Sequence, residues 1–469
     1  MKFTKLSLVA AIAVSSAFAG GDIAPVEPAP VVAVSPWSFS GDAKLYYSTD
    51  SSSMFSQATS AGQAAVSADI GYAINSNWKI NAGLTGLATL GLDDSVVSNV
   101  WLVGGAQGAN GSSTLTSVGD ALWIDTLNVT GTMMDGKLTT VIGRQELDTP
   151  LAFSEKWNIA PNTFDAAVAI AKPMENLSLI AGYIYDGNGN GSRITTFDGE
   201  GVSGEGGFTH SSGYLPLFTG TSNEISNGAW TVAAVGTFAG VTAQAWYYDV
   251  MDVAQAVWLQ ADSEFSGVTI GAQYAWMGAD STLENVVGTI DDSSAWAAKL
   301  GYKMDAFKVW AAYSSVDDKT NAVLPIANTA TLVNGNNAGG WGPLGAGAQS
   351  KLYTEAWWNY GLVGQPGADT TTVAANYNAG DISIFNGVQA TAQYTHISGA
   401  QERLNTALNG GVFNETDLDE IALVAGADVY GVNVQVAYIN TDRTDTPVAG
   451  GASTEDTTDT VQLYLTYKF

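Results

Sequence analysis

Val461-Gln462-Leu463-Tyr464-Leu465-Thr466-Tyr467-Lys468-Phe469 alternates apolar and polar side chains up to a terminal phenylalanine. Strand side chains point to opposite faces with a period of two. Val461, Leu463, Leu465, Tyr467 and Phe469 therefore make one apolar face, and Gln462, Tyr464, Thr466 and Lys468 make the other. A strand with lipid on one side and water on the other requires that split. The stretch reads as the closing strand of a transmembrane barrel.

Working back from it, about eighteen segments of roughly ten residues carry the same pattern, the length a tilted strand needs to cross a bilayer. They lie near 37–47, 64–74, 78–88, 121–132, 137–146, 164–172, 177–186, 229–238, 241–249, 254–264, 268–277, 295–304, 306–314, 370–378, 387–397, 419–428, 431–441 and 460–469. Connections alternate in length. Tight ones include Asn75-Ser76-Asn77, Met134-Asp135-Gly136, Ala239-Gly240 and Ser266-Gly267; long ones include Thr89 to Asp120, Gly187 to Gly228 and Ser315 to Asp369. Short periplasmic turns and long extracellular loops are the habit of such barrels. The expected fold is all-β: a single antiparallel transmembrane β-barrel with its third long loop folded inward.

At the other end, Lys2 and Lys5 precede an apolar run from Leu6 to Val14, and Ala17-Phe18-Ala19 offers the small residues of a cleavage site. The run is too short for a membrane helix. Residues 1–19 are expected to be a signal peptide, residues 20–36 (with Pro25, Pro28, Pro30 and Pro36) an extended periplasmic leader, and residues 37–469 the barrel, placed in the outer membrane of a Gram-negative cell. There is no cysteine, so backbone hydrogen bonding and packing must hold the chain.

Charge narrows the class. Loss of Lys2 and Lys5 leaves 15 basic against 45 acidic side chains, a net charge of -30, which speaks against nucleic acid as a partner. Charged residues are only 13% and hydrophobic ones 46%. Without a long apolar run, that apolar content must be spread over strands, and only a closed barrel then satisfies every main-chain N–H and C=O.

By parity, Val268, Ile270, Ala272, Tyr274 and Trp276 face lipid, as do Trp296, Ala298, Leu300 and Tyr302, and Val432, Val434, Val436 and Tyr438. Aromatics gather at both ends of these faces. Trp37, Trp78, Phe238, Phe307 and Phe469 lie at the turn side, and Tyr47, Tyr185, Trp230, Tyr247 and Tyr313 at the loop side, as two interfacial girdles demand. Barrels of 16 to 18 strands leave an aqueous channel. The expected function is passive diffusion of ions and small polar solutes.

The candidate constriction is the connection Glu146 to Thr163, which brings Glu146, Asp148, Glu155 and Lys156, with Pro150 and Pro161 fixing its backbone, just after Arg144. Lys299, Lys303 and Lys308 have interior parity and are expected to oppose it, creating a transverse field. The net charge and acidic loop predict weak cation selectivity.

The run Gly143-Arg144-Gln145-Glu146-Leu147-Asp148-Thr149-Pro150, followed by Ile159-Ala160-Pro161-Asn162-Thr163-Phe164, resembles the constriction-loop segment of OprD-like porins, a family that includes the major outer-membrane porin type of Campylobacter. The resemblance implies an eighteen-stranded barrel, a homotrimer in the Campylobacter-type members, and passage of small polar solutes. Members that select basic amino acids carry an interior arginine ladder; here the candidates are Arg144 and three lysines. The expected surroundings are outer-membrane lipid and lipopolysaccharide.

Three other features compete for a role. His396 and Ser398 have a spacing similar to that of an outer-membrane phospholipase, but nothing nearby beyond loop asparagines such as Asn405 offers to orient the imidazole, and no enzyme activity is expected. Asp417, Asp419 and Glu420 are weak candidates for a metal site; with Asp442, Asp445, Asp456 and Asp459 they offer oxygen ligands for Ca²⁺ on outer loops, although no loop has the EF-hand spacing. Long loops bearing Trp341, Trp357 and Trp358 support the alternative of a structural or adhesive surface barrel acting through its loops.

Overall fold

The computed structural model describes residues 35–56, 60–89, 121–156, 159, 161, 163–188, 228–319, 321–328, 349–401 and 414–469. The signal peptide, most of the leader, Trp341 and the greater part of three long connections lie outside these residues.

Eighteen strands form one sheet closed on itself. They are β1 (Trp37–Asp50), β2 (Ser60–Ala73), β3 (Trp78–Thr89), β4 (Ala121–Met133), β5 (Leu138–Gln145), β6 (Thr163–Met174), β7 (Leu177–Asn188), β8 (Ala229–Phe238) and β9 (Val241–Val250), continuing through β10 (Ala254–Phe265), β11 (Val268–Ala279), β12 (Ser293–Met304), β13 (Phe307–Val316), β14 (Asp369–Ile382), β15 (Phe385–Gln401), β16 (Asn414–Val429), β17 (Val432–Pro447) and β18 (Thr454–Lys468). Each expected segment falls within or overlaps one of them. Every neighbouring pair is antiparallel, and β18 closes the ring on β1 with Asp42 opposite Lys468 and Asp50 opposite Thr460. No edge is left, so the backbone is satisfied without water in the bilayer.

The last residue seals the seam. Phe469 and Gly41 exchange backbone hydrogen bonds of 2.9 and 3.0 Å, and a Cβ on Gly41 would stand 2.6 Å from the Phe469 ring. Glycine there makes room for the terminal aromatic. Two-residue turns Ala239-Gly240, Ser266-Gly267 and Tyr430-Gly431 have positive φ at both positions, the form whose twist matches paired strands. At Gly267 a side chain would also meet the Lys303 carbonyl at 2.5 Å.

Parity divides the two faces as the alternation requires. On β11, Ile270 and Tyr274 are exposed on the outside, whereas Gln273 and Ala275 are buried inside. Strands β15 to β18 run 15 to 17 residues, several more than the expected segments, and the extra length is on the loop side. The helix Ser281–Val287, capped by Asp280 accepting from the Thr282 N–H, lies in the connection after β11.

Candidate pore constriction

Among the described residues, two connections and not one fold into the barrel. The first is the expected segment after β5. Its chain doubles back around Thr149-Pro150: the Ser154 N–H donates to the Leu147 carbonyl (2.8 Å), Asp148 bridges Phe153, and Leu151, Ala152 and Phe153 are buried. Leu147 and Leu151 join Phe164, Ile184, Trp246 and Tyr248 in an apolar cluster on the β6–β9 wall. The fold-back is thus pinned by hydrophobic burial rather than held in solvent.

The second comprises residues 324–328 and 349–368, between β13 and β14, where the sequence predicts an outer loop. Its inward residues Leu324, Ile326, Leu352, Tyr353, Leu362 and Val363 are fully or almost fully buried. Irregular backbone inside a barrel needs partners for its polar groups, and the wall supplies them one strand at a time. Gln273 of β11 accepts from the Tyr353 N–H (2.9 Å) and donates to the Lys351 carbonyl (2.9 Å). Thr372 of β14 donates to the Thr354 carbonyl (2.7 Å), and Gln393 of β15 to the Glu355 carbonyl (2.8 Å). Glu420 of β16 accepts from the backbone N–H groups of Trp357, Trp358 and Asn359 and from the Asn359 side chain, at 2.6 to 3.2 Å. Residues 351–359 therefore form a strap along the inner wall. Gly271 leaves the space it needs: a Cβ there would stand 2.6 Å from the Tyr353 hydroxyl.

One side chain joins the two connections. Asn328 accepts from the Phe153 N–H (3.1 Å) and donates to the Phe153 carbonyl (2.9 Å), as a neighbouring strand would, and also donates to Glu155 Oε1 (3.2 Å). Lys351 pairs with Asp148 and lies 4.5 Å over the Phe153 ring.

The expected charged residues fall into three groups. Arg144 makes a two-pronged pair with Asp165 of β6 (2.8 and 3.0 Å) and donates to the Ile124 carbonyl, and Lys156 pairs with Glu146 at 3.1 Å. Lys299 does face the lumen, 3.5 Å from Asp262 and 4.2 Å over the Tyr353 ring. Lys303 and Lys308 correct the expectation. The β12–β13 register sets them directly opposite each other, four residue pairs below the level of Lys299 and next to the Asp305-Ala306 turn, so they mark the turn-side mouth and not a wall facing the first connection. The bases at the constriction lie beside acids instead of across from them.

Acids are in excess at this level. Glu155 and Glu355 are buried in the two connections. Burial pushes the Glu355 carboxyl well above its ordinary value and the nearby Glu155 charge pushes the same way, against a hydrogen bond from Gln349 and the Lys351 charge. On the β1–β5 wall, Asp125 accepts from Thr85 and lies near Asp42 and Glu146. Asp69 and Asp125 both close over the bare Cα of Gly83.

The acidic metal candidates separate. Alternation along β16 turns Glu420 into the lumen and leaves Asp417 and Asp419 exposed on the outside, where Asp417 accepts from the Gly399 N–H (3.0 Å) and Asp419 lies 2.9 Å from His396 Nδ1. Among the described residues no group of three His, Asp or Glu side chains is arranged to hold a metal ion. Asp419 is the group that orients His396, yet the imidazole bonds Asp419 and not Ser398, which sits in a bulge between Ile397 and Ala400. Asp445 forms a two-pronged pair with Arg443 (2.8 and 2.9 Å), and Asp459 accepts from Tyr438 and Asn440.

Comparison with solved structures places this architecture. The chain has the fold of the OccK and OprD-type outer-membrane porins. It superposes on Acinetobacter baumannii OccAB1 with a TM-score of 0.64 at 12% identity, over 92% of this chain and 96% of that one. Pseudomonas aeruginosa OccK8 (OprE) and OpdK, the latter solved with vanillate, each give 0.61 at 12% identity, over 92% of this chain and 98% of theirs. No family model and no curated protein matches the chain.

Proposed function

We propose that this barrel is an outer-membrane diffusion channel of the OprD-like kind, passing small ions and polar solutes with weak preference for cations. One observation carries the reading. Each of the bases Arg144, Lys156, Lys299 and Lys351 lies against a carboxylate (Asp165, Glu146, Asp262 and Asp148), as does Lys44 against Asp42, while Asp125 and Glu155 add acid to these pairs. Paired charges largely cancel beyond a few ångströms, so the surplus sets the sign of the field that a permeant ion feels. A carboxylated aromatic such as the vanillate held by OpdK would meet that surplus, so it should pass more slowly than a neutral or cationic solute of its size.

Reversal potentials under a KCl gradient test the assignment. Wild-type protein should favour K⁺, and Asp125→Asn together with Glu155→Gln should bring the ratio toward unity; anion preference would refute it. The outer-membrane address, the signal peptide and a homotrimer belong to the same reading. Mass measurement of the detergent-extracted complex tests the trimer. A surface barrel acting through its loops is separated by conductance, since a plugged barrel gives no stepwise current.

A further inference from the structure

A buried surface rich in unanswered hydrogen-bonding groups lies where β18, β1 and β2 meet, one inward position along β1 from the Lys44–Asp42 pair. Tyr46 of β1 stands directly opposite Gln63 of β2 on one side and Tyr464 of β18 on the other, and Gln462 lies one inward position further along β18, opposite Ser48. The four inward side chains form one patch. Gln63 is 1% exposed, and neither its Nε2 nor its Oε1 has a hydrogen-bond partner. Gln462 is 0% exposed; its Oε1 accepts from the Tyr464 hydroxyl (3.2 Å), and its Nε2 has no partner. Swapping N and O of Gln63 changes nothing, because both atoms are unanswered. Buried amide groups left this way are destabilising, and three of them on the two strands that flank β1 are a built feature of the lumen.

The surroundings define what answers them. Tyr46 and Tyr464 meet edge to face at 4.6 Å, and Tyr360 approaches from the second inward connection, near enough to feel both phenols as well as Glu155 and Glu355. Tyr464 is mostly buried and keeps a minor share of its surface exposed, where the patch meets the lumen. An anion is disfavoured by the Glu155 charge that Tyr360 feels. A simple cation accepts no hydrogen bond and would leave both Nε2 groups unanswered. A hydroxyl both donates and accepts, and aromatic faces suit the C–H side of a polyol.

We infer that Gln63, Gln462, Tyr46, Tyr464 and Tyr360 form a subsite for a small neutral polyhydroxylated solute. The inference rests on the lumen being open to solutes, as the proposed channel requires, but its test does not depend on conduction. Saturation-transfer NMR on the detergent-folded barrel compares sorbitol with tetraethylene glycol, whose ether oxygens accept but do not donate. Sorbitol should receive clear saturation and the ether little, and Gln63→Leu or Gln462→Leu, checked for folding by heat-modifiable electrophoretic mobility, should weaken sorbitol binding about tenfold. Equal signals from the two probes in wild-type protein, or undiminished sorbitol binding in a folded variant, would overturn the subsite and leave the patch to water alone. Loss of stepwise current would instead overturn the channel reading.

Discussion

The barrel wall and the strap at residues 351–359 are held by opposite means. In the wall, each strand satisfies its neighbour through a continuous ladder, so side chains are free to alternate between lipid and lumen. In the strap there is no ladder. Its main-chain groups are answered by side chains that the wall sends inward: Gln273, Thr372, Gln393 and above all Glu420. The wall is therefore tolerant of single inward substitutions, whereas the strap hangs on a handful of residues distant in sequence. The bore should consequently be adjustable without unfolding the barrel.

The largest expected effect comes from Glu420→Ala. It removes the acceptor shared by three backbone N–H groups and the Asn359 amide. Each orphaned buried donor costs about 1–3 kcal/mol, so the strap should lose on the order of 4 kcal/mol of docking energy while the barrel persists. Limited proteolysis should cut between residues 349 and 368, with heat-modifiable mobility unchanged. Loss of the barrel itself would erase the distinction drawn above.

A substitution on the wall's outer face should behave in the opposite way. Leu300 is 60% exposed on the lipid side, and Leu300→Arg should destabilise the folded barrel by roughly 2–4 kcal/mol. The check is urea-induced unfolding in bilayers, with the selectivity of the surviving channels unaltered.

Asn328→Ala sharpens the comparison inside the lumen. It leaves the Phe153 N–H and C=O without the partner they share, a loss of about 2 kcal/mol. Single-channel records should show added open-state noise as the two connections move independently, with mean conductance rising modestly.

Acidity gives the smallest effect. Burial and Glu155 raise the Glu355 carboxyl above the ordinary glutamate value of 4.5. A raised acid contributes stability that is complete below its unfolded value and is lost as pH rises through the folded one. The strap should therefore become more susceptible to protease, and the channel more cation-selective, as pH climbs above 4.5 through the raised value. Glu355→Gln should flatten both dependences.

How much of this was legible in the sequence follows from the same contrast. The period-two alternation in Val268–Ala279 or Val461–Phe469 reports directly on two faces, so all eighteen strands and their pairing order could be read, and tight turns such as Ser266-Gly267 marked the boundaries. The strap carries no period. Leu352, Tyr353, Tyr360, Leu362 and Val363 are apolar density in what looked like a surface loop, and that density was its one local signal. Its anchors are single polar residues on other strands, invisible until the barrel brings them together. The lysines show the limit of parity: it placed Lys299, Lys303 and Lys308 on the inner face correctly, but height along the axis depends on register, which moved the last two to the turn-side mouth. Likewise Asp419 and Glu420 are adjacent in sequence yet lie on opposite sides of the wall.

The central claim, a sealed cylinder with a narrowed, acid-rich water path, is tested most directly by single-channel recording of purified protein in a planar bilayer under a KCl gradient. Stepwise currents with a reversal potential on the K⁺ side are the predicted result. Insertion without current steps, or steps that reverse on the Cl⁻ side, would contradict it.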